Sequence, residues 1–591
     1  MDDSDSRTAG RATPSRSAIL AVALLLLVGV GLPVLIGMLS GAISVPRNDD
    51  PAYRRVALEL YSTGQLRFNA WSEMTLVGQI VYVQPFLWLS GGGAWAFAAS
   101  TAVLAVAGIV AGFALARRVL SVPRATLAVL AVLVFPGFVL NTTSYMTDVP
   151  AWSTEVVCLW LGVVALSREG RRRWLWLTAS LAVGCFAFSI REFALAAPAA
   201  VIAAHVAVAF RRPGNWMSAA AVLIVCGGVY LLKEQVPGAR AVNGPDLTSV
   251  STGGLKEGIA TLALAAAPAL ILTVRSWWRH WRAIDVLIGL AVGLAVYRTP
   301  LFEVLRTHAV PRLLLTNMLE PSGSLGLVPL AGSRPVLFVE PVWSALNDAA
   351  FVAAFALFGV AGGAAGRVVR SQLPRWRDGA ARLDAWHRVG SVRGLLALFA
   401  ILYAGGLTAW SFFFPTYDRY LWPLIIPLYV LILMPAGDPK GAVATEPKTA
   451  PALTGQTLRS LRVGAAAVSL AVLAAVSTTL LLNADAFDTA RWRMGETAVA
   501  DGATATTVDA GFEWVTFYAT GLAVHAPPPG LGAAYETRWP SFHLCTLVSS
   551  SPLSDPALTL QYTNPDAYRL FLFAGPTEPL YTYRVRAQGC P

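Results

Sequence analysis

The sequence has few charged residues for its length. Only 13% of its 591 residues are charged, whereas soluble domains carry roughly 25%. Hydrophobic residues make up 55%. This composition argues against a soluble protein and predicts an integral membrane protein.

The sequence also lacks any RNA- or DNA-binding motif, although its formal net charge is +11. No basic face of a soluble domain is evident. The arginines form short clusters between apolar runs, as they do in cytoplasmic loops under the positive-inside rule. We therefore expect no nucleic-acid partner, and we expect membrane lipids around the chain.

Cysteine is rare, with five residues in the whole chain. Cys158, Cys185 and Cys226 lie within apolar runs, which favours a role as small packing residues. Cys545 and Cys590 lie outside those runs, in a segment that we expect to be exported. Exported segments meet an oxidising compartment, so we predict a disulfide between these two residues.

Long apolar runs are abundant. A membrane helix needs about 20 apolar residues, and we predict about 13 such helices. They cover residues 17–41, 94–116, 124–141, 149–166, 173–190, 193–210, 216–232, 258–274, 283–297, 349–366, 393–413, 419–434 and 462–483. The first run is too long for a signal peptide, whose apolar region has about 7–15 residues. The predicted fold class is a polytopic α-helical membrane protein.

The arginine clusters predict the topology. With a cytoplasmic N-terminus and 13 crossings, nearly every arginine-rich loop falls on the cytoplasmic side and the C-terminus lies outside. The predicted parts are a cytoplasmic tail (1–16), a transmembrane catalytic module (17–434) with an external loop (42–93), a disordered cytoplasmic linker (435–461), a last transmembrane helix (462–483) and an exported domain (484–591).

The exported domain differs in composition from the rest of the chain. It contains ten Asp and Glu residues against six Lys and Arg residues. The runs "TATTVDAG", "CTLVSS" and "YTYRVRA" are typical of short strands bounded by turn residues. We predict a small α/β domain.

Acidic residues stand at two predicted helix starts on the external face. Asp49 and Asp50 open an amphipathic helix in "NDDPAYRRVALELY", and Asp148 precedes a helix in "YMTDVPAW". Helix capping is one explanation, since Asp is a good N-cap residue. The alternative is a catalytic role, and capping does not account for two adjacent carboxylates.

Basic residues stand on the same face, where the positive-inside rule does not place them. Arg191 lies between two helices, and Arg419 lies between Tyr417 and Tyr420. An ion pair with Glu192, or a snorkelling arginine in an aromatic belt, would explain them structurally. The functional alternative is a phosphate-binding site at headgroup depth.

Four segments, in chain order, resemble the GT-C superfamily of polyprenyl-phosphate-dependent membrane glycosyltransferases. They are Asp49-Asp50-Pro51-Ala52-Tyr53, "VYVQPFLWLSG", "YMTDVPAW" and "YDRYLWPLIIP". The similarity covers residues 17–430 and is closest to glycosyltransferase family 39, which includes protein O-mannosyltransferases and aminoarabinose transferases. The later segment "DAGFEWVTFY" resembles exported tails of bacterial members.

The resemblance implies an inverting transfer of a sugar from a polyprenyl phosphate to a lipid, glycan or protein acceptor on the external face. Asp49 matches the family's catalytic base, Asp148 matches its second acidic position, and Asp50 stands where Glu is commoner. We take Arg191 and Arg419, together with Tyr417 and Tyr420, as the candidates for binding the lipid phosphate. No second set of metal ligands stands out, so a divalent cation is left open.

Two alternatives remain at this point. A transporter or flippase of lipid-linked sugars should carry ionisable residues near the bilayer midplane, whereas here they lie at the outer edge. No internal repeat supports an inverted-repeat transporter. A polymerase or ligase of surface polysaccharide would differ from the predicted enzyme only in its acceptor.

Overall fold

The computed structural model describes residues 15–68, 74–209, 212–237, 253–278, 281–307, 312–319, 330–332, 340–372, 390–412, 414–434, 453–518, 544–571, 577–586 and 590. Within these ranges the chain is mostly helical. The α-helices are α1 (Arg16–Leu26), α2 (Leu32–Ser40), α3 (Asp50–Thr63), α4 (Val77–Ser90), α5 (Trp95–Ala116), α6 (Val122–Leu133), α7 (Phe138–Asn141), α8 (Asp148–Leu166), α9 (Gly170–Ile190), α10 (Ala196–Val208), α11 (Pro213–Gln235), α12 (Gly253–Trp278), α13 (Ala283–Val296), α14 (Arg298–Thr307), α15 (Glu340–Gln372), α16 (Val392–Ser411), α17 (Trp422–Leu433), α18 (Leu453–Ala500) and α19 (Phe512–Tyr518).

Short irregular helices complete these elements. A π-helical turn, Leu27–Gly31, joins α1 to α2, so the two form one span of 25 residues. The 3₁₀ turns are Ala42–Ser44, Glu192–Leu195, Asp418–Leu421 and Ala505–Thr507. Glu192–Leu195 directly follows Arg191, and Asp418–Leu421 contains Arg419.

The prediction of a polytopic helical membrane protein is confirmed. Nine helices within the described ranges are long and apolar enough to cross a membrane, or ten if the bent pair α13 and α14 forms one span. Each of the nine overlaps a predicted run. The other four predicted runs, 124–141, 193–210, 283–297 and 419–434, overlap the shorter helices α6, α10, α13 and α17.

The shortening of α6 has a local cause. Its apolar run continues through Pro136 and Gly137, and Gly137 has a φ of +87°. Proline disfavours helix in the residue before it, and a positive φ ends a helix. The helix therefore stops at Leu133, although hydropathy alone predicts a run to residue 141.

Helix α18 extends beyond the predicted span at both ends. It begins at Leu453, inside the predicted linker, and it ends at Ala500, inside the predicted exported domain. No proline follows Pro451 to interrupt it. Residues 435–452 of the predicted linker and 1–14 of the predicted tail lie outside the described residues.

The C-terminal domain contains a four-stranded sheet, which confirms the predicted strands. The strands are β1 (Val508–Asp509), β2 (Thr546–Ser549), β3 (Leu558–Tyr568) and β4 (Glu578–Val585), in the order β1-β2-β4-β3. β1 and β2 are parallel, and the other pairs are antiparallel. Strand β3 was not predicted; it contains Pro565 and lies at the edge, where a sheet tolerates proline.

Two features tie this domain together. Cys545 precedes β2 and Cys590 follows β4, and a disulfide joins them. The C-terminal part of α18 packs against the sheet, because Phe487 and Met494 share a core with Trp514 and strand residues. The domain is therefore built directly onto the last long helix.

The first loop folds around α3. Pro51 lies in its first turn, as predicted, and Tyr53, Val56 and Ala57 are buried against residues of α4, including Ile80. The helix thus packs on protein, and its N-terminus is held in place.

Candidate active site

The four stretches singled out in the sequence meet at one face of the helical bundle. Asp49 precedes α3, Asp148 is the first residue of α8, Arg191 follows α9, and Arg419 lies in the turn before α17. They come from segments up to 370 residues apart in the chain. Each residue stands at the end of a helix, so the helix ends converge on a shared patch of charge.

Arg191 is bound to Asp148. Its Nη1 donates to Asp148 Oδ1 and lies 3.4 Å from Thr147 Oγ1. Its guanidinium lies 4.2 Å from the Tyr420 ring centroid and 5.9 Å from that of Phe193. The ion pair that the structure shows for Arg191 is therefore with Asp148, whereas the structural alternative from the sequence was a pair with Glu192.

Arg191 remains charged in this environment. It is buried, and burial alone lowers the pKa of a guanidinium. The Asp148 carboxylate, together with Tyr420 and Tyr403, outweighs this effect, so the pKa of Arg191 lies above its ordinary value.

Arg419 lies between two carboxylates. Its Nη2 is 3.5 Å from Asp49 Oδ2, and its Nε is 3.6 Å from Asp148 Oδ1. The guanidinium is 5.2 Å from the Tyr417 ring centroid and 5.7 Å from that of Tyr420. Only 3% of Arg419 is exposed, which excludes a snorkelling role.

Arg419 retains hydrogen-bonding capacity. Within the described residues, its buried Nε and Nη1 atoms have no hydrogen-bond partner. A buried donor without a partner costs about 1–3 kcal/mol, and more when it is charged. Nε already faces the Asp148 carboxylate, so an anion beside Nη1 would supply the acceptor that this atom lacks among the described residues.

Asp418 fixes the turn that carries Arg419. Its carboxylate accepts hydrogen bonds from the backbone N–H groups of Leu319 at 2.8 Å, Met318 at 3.1 Å and Arg419 at 2.7 Å. Tyr403 supports the same turn by donating from its hydroxyl to the Tyr420 carbonyl at 3.0 Å. The turn therefore presents Arg419 in a fixed orientation.

Asp49 and Asp50 point to different partners. Asp49 faces Arg419, and its side chain is 15% exposed. Asp50 is fully buried; it lies 3.0 Å from Arg54 Nη2 and accepts from the Tyr145 N–H at 3.1 Å. Asp50 thus pairs within the first loop, whereas Asp49 faces the other site residues.

The structure does not support the capping explanation. Asp49 occupies the N-cap position of α3, yet its side chain makes no cap hydrogen bond. Thr147, which holds the same position for α8, makes none either. Asp148 instead serves both Arg191 and Arg419.

Sequence analysis missed some residues beside the site. Glu155 lies two turns along α8, is 1% exposed and acts electrostatically on Arg191. A carboxylate inside an apolar span is costly, and that cost was a usable signal. A further set of charged residues, in α18 and the C-terminal domain, was also missed. The sequence around each of them gives no sign of the partner that it contacts.

A metal site does not emerge from the described residues. They contain no group of three or more His, Cys, Asp or Glu side chains that could hold an ion. The two carboxylates that face the site are instead paired with arginines. Among the described residues, the donor set therefore does not fit a divalent cation.

Solved structures with similar architecture are distant. ArnT from Cupriavidus metallidurans bound to undecaprenyl phosphate is 12% identical, with 97% of this chain and 98% of that chain covered and a TM-score of 0.36. The archaeal oligosaccharyltransferase AglB from Archaeoglobus fulgidus, in complex with an inhibitory peptide and a dolichol-phosphate, is 13% identical, with 81% and 58% covered and a TM-score of 0.39. Superpositions this loose do not determine a function.

A family model matches the chain directly. No curated protein matches it. Residues 82–230 match the family described as dolichyl-phosphate-mannose-protein mannosyltransferase. This segment contains Asp148 and Arg191 and ends before Arg419. Over these residues, the match confirms the resemblance to polyprenyl-phosphate-dependent glycosyltransferases.

Proposed function

We propose that the chain is an inverting glycosyltransferase that moves a sugar from a polyprenyl phosphate to an acceptor on the external face of the membrane. The observation that carries this proposal is Arg419, a buried arginine between two carboxylates, two of whose nitrogen atoms have no hydrogen-bond partner in the described part of the chain. A phosphate ester held there by its lipid tail would supply an acceptor to Nη1.

In this mechanism Asp49 is the general base. It takes the proton from the acceptor hydroxyl as that oxygen attacks the anomeric carbon of the sugar. The bond between that carbon and the phosphate oxygen breaks, and the electron pair leaves with the polyprenyl phosphate. The partial exposure of Asp49 gives an acceptor access to its carboxylate.

Arg191 and Arg419 stabilise the departing phosphate. Negative charge develops on its oxygens as the bond breaks, and buried cations stabilise such charge most strongly. Asp148 orients both guanidinium groups. The rings of Tyr417 and Tyr420 pack against them and keep water from the arginine faces.

Asp50 has a different role in this scheme. It is fully buried and paired with Arg54, so it lacks access to an acceptor. We assign it to holding the start of α3, which carries Asp49. This assignment leaves one base among the two adjacent carboxylates.

We also propose a plasma-membrane location with a cytoplasmic N-terminus and an exported C-terminal domain. The arginine asymmetry of the loops supports it. A phosphatase fused at Pro591 should be active, and one fused after Gly441 should be inactive. The reverse pattern would place the site on the cytoplasmic face and contradict the proposal.

The transfer itself can be tested with purified protein and a panel of radiolabelled polyprenyl-phosphate sugars. We expect one donor to lose its label to an acceptor or to water. A transporter would leave every donor intact. Retention of label with the whole panel, in the presence of membrane extract as a source of acceptors, would contradict the proposal.

A further inference from the structure

A second cluster of buried charges lies next to the site. It joins the first loop to α18 and the C-terminal domain, and we refer to it as the supporting cluster. Its members are Arg47, Asp485, Asp488, Arg491 and Glu513. All five are at most 4% exposed, so these charges are held by one another rather than by water.

The contacts of the supporting cluster run in an unbroken series. Arg47 lies 2.6 Å from Asp485 and 3.5 Å from Asp488. Arg491 then lies 2.9 Å from Asp488 and 3.0 Å from Glu513. The first loop is thereby tied to α19, which carries Glu513.

Glu513 also reaches the backbone of the first loop. Its Oε1 accepts a hydrogen bond from the Asn48 N–H at 3.0 Å. Asn48 has a φ of +52°, in the left-handed region that few residues other than glycine and asparagine adopt. A backbone turn of this kind needs support, and Glu513 provides it at the residue directly before Asp49.

We propose that Glu513 is a positioning residue for Asp49, so that the C-terminal domain completes the active site. This inference rests on the proposed function, in which Asp49 is the base. The acceptor oxygen of Glu513 holds the Asn48 N–H, and the direction of the Asp49 side chain depends on that turn. A general base works only within hydrogen-bond reach of its proton, so a small displacement slows the reaction.

The first loop also has supports of its own, besides Glu513. Arg54 donates to the Ser44 carbonyl at 2.9 Å, and the Asp50 N–H donates to the Arg47 carbonyl at 3.1 Å. These contacts come from the first loop itself. They keep the segment folded when Glu513 is changed, which makes a local experiment feasible.

Two conservative variants separate positioning from charge balance. Glu513→Gln keeps an oxygen that can accept from the Asn48 N–H but loses the charge opposite Arg491. Glu513→Asp keeps the charge, yet its side chain is one methylene shorter and falls short of Asn48. Glu496→Ala serves as a control, because Glu496 is an exposed carboxylate on α18 that accepts a hydrogen bond from Trp492 Nε1.

The experiment measures two quantities on the full-length protein in detergent. The first is hydrogen–deuterium exchange in peptides that cover residues 44–53. The second is the rate of sugar transfer, separated into kcat and the KM for the lipid donor. We expect Glu513→Asp to raise exchange in that segment and to lower kcat by roughly ten- to hundredfold, with the donor KM unchanged. Glu513→Gln and Glu496→Ala should both stay near the wild type in hydrogen–deuterium exchange and in kcat.

The proposal would be overturned if Glu513→Gln transferred sugar more slowly than Glu513→Asp, or if the two variants had equal rates. The acceptor oxygen would then not matter more than the charge. Unchanged exchange in Glu513→Asp would overturn it as well. If the wild-type protein transfers no sugar from any donor, the proposed function fails. The exchange data still decide whether Glu513 holds the turn, so the two failures are distinguishable.

Discussion

Two buried arginines, one in each charge cluster, differ in how fully they are satisfied. Arg491, in the supporting cluster, donates from Nε and Nη2 to Asp488 and from Nη1 to the Ala510 carbonyl, and it pairs with Glu513. Arg419, in the site, lies 3.5 and 3.6 Å from two carboxylates, and its Nε and Nη1 have no hydrogen-bond partner within the described residues. Both are at least 97% buried.

This difference distinguishes an arginine that stabilises the fold from one that can bind a ligand. A buried guanidinium stabilises a fold only when its donors are bonded, because a buried charge without partners is costly. Arg491 meets this condition and ties α18 to α19 of the C-terminal domain. Arg419 does not, and it lies beside a partly exposed carboxylate. Such an arginine is suited to receive an anion.

Asp49→Asn should have the largest effect on transfer. The amide keeps the size of the carboxylate but cannot accept the acceptor's proton. General-base removal typically costs about 10²–10⁴-fold in rate, so kcat should fall by that much. Binding of the lipid donor should persist, as measured by retention of labelled donor on the purified protein.

The neighbouring residue provides the check on this assignment. Near-normal transfer by Asp49→Asn, together with an inactive Asp50→Asn, would move the base by one residue. Normal rates in both variants would remove the first loop from the mechanism.

Arg419→Ala and Arg491→Ala should fail in different ways. A hydrogen bond to a charged group contributes about 1.5–3 kcal/mol, so losing Arg419 should raise the donor KM or lower kcat by about ten- to hundredfold. The protein should remain folded. Arg491→Ala should instead reduce the yield of folded protein and its thermal stability. If both variants fold and bind donor equally well, the contrast between the two arginines is wrong.

Asp50→Ala should destabilise the protein rather than remove a catalytic group. It leaves Arg54 buried without its partner, and breaking a buried ion pair costs about 3–5 kcal/mol. The double variant Asp50→Ala/Arg54→Met also removes the unpaired buried guanidinium of Arg54, so it should recover part of the thermal stability and of the transfer rate. No recovery in the double variant would argue that Asp50 itself takes part in the reaction.

Much of this architecture could be predicted from sequence because hydropathy and charge are local signals. The nine long apolar helices follow from composition, and Asp49, Asp148, Arg191 and Arg419 stood out because charges at a bilayer edge are costly. A shared site could be predicted for these four residues because the predicted topology places all of them on one side of the membrane.

The remaining features depend on contacts that leave no local trace. Asp49 and Asp50 are adjacent, and only the three-dimensional direction of their side chains separates a base from a structural carboxylate. The bond from Asn48 to Glu513 spans 465 residues. Hydropathy also predicted α18 to end near residue 483, because it does not register that Asp485 and Asp488 are paired with Arg47.

The smallest effect that we predict is a pH dependence that originates at Glu513. Burial raises the pKa of Glu513 from 4.5 to about 7, although the nearby Arg491 acts to lower it. The folded protein therefore binds this proton more tightly than the unfolded chain does. Between about pH 4.5 and 7 the folded state carries more protons, so the free energy of unfolding falls as pH rises through that window and levels off above it. The melting temperature of the wild type, measured in detergent, should accordingly decline more between pH 5 and pH 8 than that of Glu513→Gln, which has no proton to release. Glu496→Ala should follow the wild type. Identical pH profiles for the wild type and Glu513→Gln would show that Glu513 is ionised throughout, and that Arg491 rather than burial sets its charge.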